Sequence, residues 1–84
     1  MSDKTSEPTI CRGNPSGPYL RAIRLGMGIT QSEAARLMGV STRTLQRYER
    51  DGITSTMGAL HVFAICHAYG ISADLLFEIA RRAA

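Results

Sequence analysis

The strongest constraint on this chain is a pair of short helical segments separated by the tripeptide Gly39-Val40-Ser41. The first segment begins with a capping box, because Thr30 is followed three residues later by Glu33 and each side chain can bond the other's backbone N–H. Glycine favours the left-handed conformation that ends a helix, and serine is a preferred N-cap for the next one. A three-residue turn between two short helices predicts a helix-turn-helix unit over residues 30–50.

Caps, glycines and apolar spacing predict three further helices. No segment alternates polar and apolar residues as a half-buried strand does, so the sequence predicts an all-α fold. The broad apolar stripe of the fourth helix comprises Ala59, Val62, Phe63, Ile65, Cys66 and Tyr69. The predicted helices run from Gly17-Pro18 to near Gly26–Gly28, from Thr30 to Gly39, from Ser41 to about Arg50, from Thr56 or Met57 to Tyr69, and from Ser72 to about Arg82.

The two ends of the chain differ in composition. Residues 1–16 are rich in Ser, Thr, Pro and Gly and carry balanced charge, so we expect a flexible, disordered N-terminal arm there. Residues 17–84 form the predicted compact domain, and the whole net charge of +3 falls on it. A positive surplus supplied almost entirely by arginine favours a polyanionic partner.

Several function classes are disfavoured by what the sequence lacks. It has no apolar run long enough for a membrane span and no signal-peptide pattern, so we expect a cytoplasmic protein that does not enter a membrane. Cys11 and Cys66 are expected to be free thiols, and Cys66, His61 and His67 lack the spacing of metal ligands. With no nucleophile–base arrangement either, we expect neither a cofactor, nor a metal, nor enzymatic activity.

The third helix has two contrasting faces. Leu45 and Tyr48 are three residues apart and are predicted to point into the core. A short, polar, basic face on the other side fits the major groove of DNA, where arginine pairs with guanine and glutamine with adenine. An ordinary solvated helix surface is the alternative interpretation of the same residues. The predicted outward residues are Thr42, Arg43, Gln46, Arg47 and Arg50.

Across roughly residues 19–78 the chain resembles the Cro/repressor-type helix-turn-helix family, also called XRE-like regulators. The resemblance rests on the segments LRAIRLGMGITQSEAARLMGVSTRTLQRYERDG and HVFAICHAYGISADLLFE, and above all on the pattern T-Q-x-E-x-A-x-x-x-G-V-S followed by Arg-Tyr-Glu. It implies a compact five-helix, lambda-repressor-like DNA-binding domain. It also implies a sequence-specific regulator of transcription, most often a repressor that binds a palindromic operator in double-stranded DNA as a dimer.

The resemblance assigns roles to individual residues. It implies that Gln31 contacts a backbone phosphate and braces the recognition helix, and that Ser41 caps this helix and also donates to phosphate. Arg50, which lies on the outward face of the third helix, is expected in the same interface, and Thr44 is expected to face the DNA backbone. The residues that fall where bases are read are Thr42, Arg43, Gln46 and Arg47.

Glu49 matches a family glutamate that pairs with an arginine on the first helix, here Arg24. The sequence supports this pairing independently, because Glu49 lies four residues after the inward-facing Leu45 and an unpaired carboxylate at the core edge is costly. A solvated Glu49 is the alternative.

The remaining apolar residues suggest protein partners. Leu75, Leu76, Phe77 and Ile79 crowd the C-terminal helix and form a candidate homodimer face, the alternative being a monomer in which this helix is buried locally. Leu37 is expected to be either half-buried or part of a partner surface. Two other functions remain open: a DNA-binding antitoxin that pairs with a toxin, and a protein-interaction module that has lost DNA binding.

Overall fold

The computed structural model describes residues 13–54 and 57–82, and predictions that fall on residues 1–12, 55–56 and 83–84 lie outside the described residues. The described part contains five helices and no strand, which confirms the predicted all-α, five-helix architecture. The helices are α1 (Ser16–Met27), α2 (Gln31–Met38), α3 (Thr42–Asp51), α4 (Ala59–Tyr69) and α5 (Ala73–Ala80).

Local side-chain bonds set the boundaries of α2. The Glu33 N–H donates to Thr30 Oγ1 at 3.1 Å, and the Thr30 N–H donates to Glu33 Oε1 at 2.8 Å, so both halves of the predicted capping box form. At the other end, Gly39 adopts a φ of 74°, in the left-handed region that favours glycine, and closes the helix. These bonds begin α2 at Gln31 and end it at Met38.

The capping box gives a pH-dependent stability. Bonds from the Thr30 N–H and hydroxyl to the Glu33 carboxylate hold its pKa below the ordinary value. The contribution is therefore present at neutral pH, above the unfolded pKa, and is lost as the pH falls through the folded pKa. We expect Glu33→Gln to lower the melting temperature at pH 7, and the difference from wild type to shrink as the pH falls from about 4, near the ordinary glutamate pKa, through the lower folded pKa. Thermal unfolding of both proteins at a series of pH values from 7 downwards tests this prediction. A difference in melting temperature that does not depend on pH would contradict it.

A single apolar core holds the helices together. α1 packs on α3 and α5, and α2 packs on α3 and α4. Ala34 and Ala35 are fully covered, and their small side chains let α2 approach its neighbours closely. The large apolar side chains with almost no exposed surface are Leu20, Leu45, Ile53, Ile65 and Leu76.

The start of the domain differs from the prediction. α1 begins at Ser16, and both Asn14 and Ser16, which the sequence analysis placed in the arm, are buried. Asn14 Nδ2 donates to the Ile53 carbonyl at 2.7 Å, and the Ile53 N–H donates to Ser16 Oγ at 2.9 Å. Asn14 Oδ1 also accepts from the Ser16 N–H and hydroxyl. These contacts fasten residues 14–16 to the chain that follows α3, so the disordered-arm prediction is wrong for them.

Two other sequence expectations were wrong. α4 begins at Ala59 rather than at Thr56 or Met57. Phe63, expected in the buried stripe of α4, is 60% exposed. Leu37 is 57% exposed rather than half-buried, which leaves the partner-surface alternative for it.

The contact between α1 and α3 leaves no room for a side chain at Gly17. A Cβ added there would lie 2.6 Å from the Glu49 carbonyl oxygen and 3.1 Å from the Gly52 nitrogen, both of them backbone atoms. We expect Gly17→Ala to destabilise the fold by about 1–3 kcal/mol, since backbone must move to accommodate it. Gly26→Ala is the matched control on α1, because a Cβ there meets nothing within 4 Å.

The two glycine variants are expected to change stability in opposite directions. Gly26→Ala should stabilise by up to about 1 kcal/mol, because alanine favours the helix more than glycine does. Urea unfolding followed by circular dichroism measures both changes. Equal effects from the two variants would show that α1 and α3 are not packed this closely.

Within the described residues, no single helix is long and apolar enough to cross a membrane, although α4 and α5 pass that test together across a bend of 109°.

Candidate nucleic-acid interface

The turn between α2 and α3 holds the two helices in a fixed relation. The Val40 N–H donates to the Ala35 carbonyl at 3.0 Å, and the Val40 side chain packs against the core. Ser41 then starts α3, its Oγ accepting from the Thr44 N–H at 3.1 Å. On α3, Leu45 and Tyr48 are buried and anchor the helix, as predicted from their spacing. The opposite face of α3 is therefore directed away from the core.

That outward face is polar and positively charged. Arg43, Gln46, Arg47 and Arg50 are exposed, while Thr42 and Thr44 are half-buried. Arg43, Thr44, Gln46, Arg47 and Arg50 line one shallow surface depression, so the structure brings them together. Side chains that offer several N–H donors from one exposed helix face suit recognition of phosphates and base edges.

Arg50 is already engaged within the protein. Its Nε and Nη2 atoms donate to the two carboxylate oxygens of Asp51, each at 3.0 Å. These bonds raise the pKa of the Arg50 guanidinium. A phosphate would have to compete with Asp51 for this side chain, which leaves Arg43 and Arg47 as the less encumbered cations of the face.

Behind this face lies a buried ion pair. Arg24 Nε donates to Glu49 Oε2 at 2.6 Å, and Arg24 Nη2 donates to Glu49 Oε1 at 3.3 Å. The two side chains are only 9% and 5% exposed. The hydrogen bond from Arg24 to Glu49 raises the pKa of the guanidinium against the opposing effect of burial. The solvated alternative for Glu49 is thereby excluded, and α1 is joined to α3.

Gln31 lies between the ion pair and the outward face. Its Nε2 donates to Glu49 Oε1 at 3.1 Å, and its Oε1 accepts from Gln46 Nε2 at 3.3 Å. The structure thus places Gln31 against α3, in the position of a brace. The contact with Glu49 was not foreseen, because no local sequence signal joins residues 18 positions apart.

The Ser41 hydroxyl is used mainly as a cap. Besides accepting from the Thr44 N–H, it lies 2.9 Å from Thr44 Oγ1, and either hydroxyl can donate to the other. The hydroxyl that does not donate in this pair keeps a proton for another acceptor. The pair therefore has one O–H donor left for a phosphate, on whichever of the two residues does not donate to the other.

A further polar contact near the interface, between α3 and α4, has no local signal in the sequence. The Tyr48 hydroxyl lies 3.1 Å from His61 Nδ1, which ties α3 to α4. Burial, and to a smaller extent the charge of Glu49, raises the pKa of the Tyr69 phenol.

Among the described residues, no group of three or more Asp, Glu, His or Cys side chains is placed to bind a metal ion. Cys66 is a free thiol whose pKa is raised by burial, and Cys11 lies outside the described residues.

Comparisons with known proteins agree with this geometry. A family model described as helix-turn-helix matches residues 20–76, which include all of α2 and α3. Among solved structures, the chain is similar to the clp gene regulator ClgR from C. glutamicum, with a TM-score of 0.66 and 28% sequence identity. That similarity covers 80% of this chain and 83% of the other. No curated protein sequence matches the chain.

Proposed function

The chain belongs to the XRE-like helix-turn-helix family of DNA-binding transcriptional regulators, and from this premise we propose that it represses transcription by binding a palindromic operator as a homodimer. The observation that carries the proposal is the exposed basic face of α3, held outward by buried Leu45 and Tyr48. A bound dimer would act sterically, by covering a promoter that overlaps the operator, and we propose that the promoter of its own gene is among those it covers.

The proposed contacts divide into two kinds. Arg43, Gln46 and Arg47, together with Thr42, would reach base edges in the major groove and supply specificity. Ser41, Thr44 and Arg50 would contact phosphates and fix the register of the helix on the duplex. Gln31 would add a phosphate contact near the N-terminus of α2, where backbone N–H groups also favour an anion.

Dimerisation is proposed through α5. Leu75 is 43% exposed there, and Phe77 and Ile79 are half-buried, whereas Leu76 is fully buried in the core. A two-fold dimer would place its recognition helices about 34 Å apart, one turn of DNA, and so would require a palindromic site. The domain is also small enough to gain stability from a partner.

Selection of binding sites from random duplexes tests this proposal. We expect the selected site to contain two inverted half-sites, and insertion of half a helical turn between them to abolish tight binding. Sedimentation equilibrium at micromolar concentration should show a dimer. A single unrepeated site bound by a monomer would refute the dimer, and selection of no sequence would refute specific recognition.

An antitoxin role is the second candidate. Leu60 is 81% exposed and Phe63 60% exposed, both on α4, and neither lies on the proposed DNA face. Large apolar side chains exposed near one another suggest a protein partner. Copurification with the product of a neighbouring gene, lost when both residues are changed to serine, would support a toxin–antitoxin pair. Protein binding without any DNA binding would instead indicate a protein-interaction module.

A further inference from the structure

Glu49 is a buried carboxylate that joins the side chains of Arg24 and Gln31. An ionised carboxylate accepts hydrogen bonds and donates none. Glu49 accepts from Arg24 Nε at Oε2 and from Arg24 Nη2 at Oε1, and Gln31 Nε2 donates to Oε1 as well. Arg24 is itself held by donation from Nη1 to the Ile29 carbonyl at 3.0 Å. The charge of Glu49 is thus fixed in place and shielded from water.

This carboxylate determines which way round the Gln31 amide lies. A side-chain amide has one accepting oxygen and one donating NH₂ group, and the two ends have nearly the same shape. Facing Glu49 Oε1, only the NH₂ end of Gln31 makes a hydrogen bond, at 3.1 Å. The carbonyl end of Gln31 must therefore face the other way, towards Gln46.

The same constraint passes on to Gln46. Because Gln31 presents an acceptor, Gln46 must turn its own NH₂ group inward, and its Nε2 lies 3.3 Å from Gln31 Oε1. One N–H of Gln46 is used in this bond. Its Oε1 and its second N–H remain for a partner, so the exposed end of the amide offers one acceptor beside one donor.

This exposed pattern distinguishes the two purines. Adenine presents a donor, N6–H₂, beside the acceptor N7 in the major groove, whereas guanine presents two acceptors, O6 and N7. An amide held NH₂-inward matches adenine and opposes its oxygen to guanine O6. The opposite orientation would expose the NH₂ group, whose two N–H donors suit guanine.

We propose that Glu49 is a specificity-positioning residue which, acting through Gln31, fixes the orientation of the Gln46 amide and thereby selects adenine over guanine. The proposal rests on the proposed function, since it presumes that Gln46 contacts a base. Glu49 itself touches no DNA. Its charge acts through two side-chain amides that join the buried ion pair to the recognition face.

Two variants interrupt the hydrogen bonds that connect Glu49 to Gln31 and Gln31 to Gln46, and neither leaves an unpaired charge buried. Gln31→Met keeps the length of the side chain but removes both hydrogen bonds. The double variant Arg24→Met/Glu49→Leu replaces the ion pair with apolar groups of similar size, which is often neutral for stability. Arg36→Met is the matched control, because Arg36 is an exposed residue of α2 that takes no part in the hydrogen bonds among Glu49, Gln31 and Gln46.

The experiment measures competition between operators that differ by adenine or guanine at one base pair. Gln46→Ala first identifies that base pair, as the one whose preference it abolishes. We expect Gln31→Met and the double variant each to lower the preference for adenine there by about fivefold or more. In the Gln46→Ala background, neither Gln31→Met nor the double variant should change the preference between the two operators any further. Arg36→Met should leave the preference between the two operators unchanged.

Failure of this inference is distinguishable from failure of the proposed function. A wild-type protein that selects no sequence would overturn both. A selective wild type whose adenine preference survives Gln31→Met and the double variant would overturn the inference alone. A DNA-free readout is the side-chain amide NMR spectrum of the free protein. The double variant should shift the NH₂ signals of both Gln31 and Gln46, and unchanged signals would overturn the inference.

Discussion

Glu49→Ala is expected to destabilise the domain by about 3–5 kcal/mol, the largest effect of any single substitution considered. The reason is the charge it leaves behind, because the Arg24 side chain is 9% exposed and Glu49 is its carboxylate partner. A domain of this size has a total stability of about 5–15 kcal/mol, so the variant should be partly unfolded at moderate temperature. Urea unfolding monitored by circular dichroism measures the change.

The double variant Arg24→Met/Glu49→Leu separates the cost of an unpaired charge from the value of the pair. Replacing both members of a buried ion pair by apolar side chains is commonly neutral or stabilising. We therefore expect the double variant to recover most of the stability that Glu49→Ala loses. If Glu49→Ala costs less than about 1 kcal/mol, the pair is not buried as the structure shows.

Arg43→Ala is expected to produce the largest single loss of DNA recognition. If Arg43 makes a bidentate contact with guanine, its removal should cost about 1–3 kcal/mol of binding and relax the preference at one base pair. Arg43 lies exposed in the first turn of α3, so the substitution should leave the fold intact. Competition binding with operators altered at each position measures both quantities.

A phosphate contact would give a different result for Arg43→Ala. Binding would weaken by a similar factor on every sequence. The slope of the logarithm of the binding constant against the logarithm of the salt concentration would fall in magnitude by about one. Arg21→Ala provides the control, because Arg21 is exposed on α1 and outside the proposed interface. An unchanged operator preference in Arg43→Ala would contradict a base-reading role.

The helix-turn-helix unit was predictable because its signals are local. The capping box of Thr30 and Glu33, the glycine at position 39 and the Ser41 cap each act within three residues, and the structure contains all of them. The inward pair Leu45 and Tyr48 follows from helical spacing alone. The pairing of Glu49 with Arg24 was predicted from the family resemblance together with the position of Glu49 at the core edge.

The features that were missed depend on contacts distant in sequence. Asn14 and Ser16 have the composition of a loop, and their burial comes from bonds to Ile53, 39 and 37 residues further along the chain. Phe63 was misplaced because α4 is apolar on most of its surface, so spacing does not show which side faces the core. The bonds of Gln31 to Glu49 and Gln46 arise only once α2 and α3 pack together.

Fluorescence anisotropy on DNA from just upstream of the gene tests the central claim most directly. The control is a shuffled duplex of the same composition, and both are titrated with salt. We predict tight binding to the upstream duplex that persists at physiological salt, and weak binding to the shuffled duplex that salt abolishes. Equal binding to both duplexes, or binding to neither at low salt, would contradict a sequence-specific regulator of its own gene.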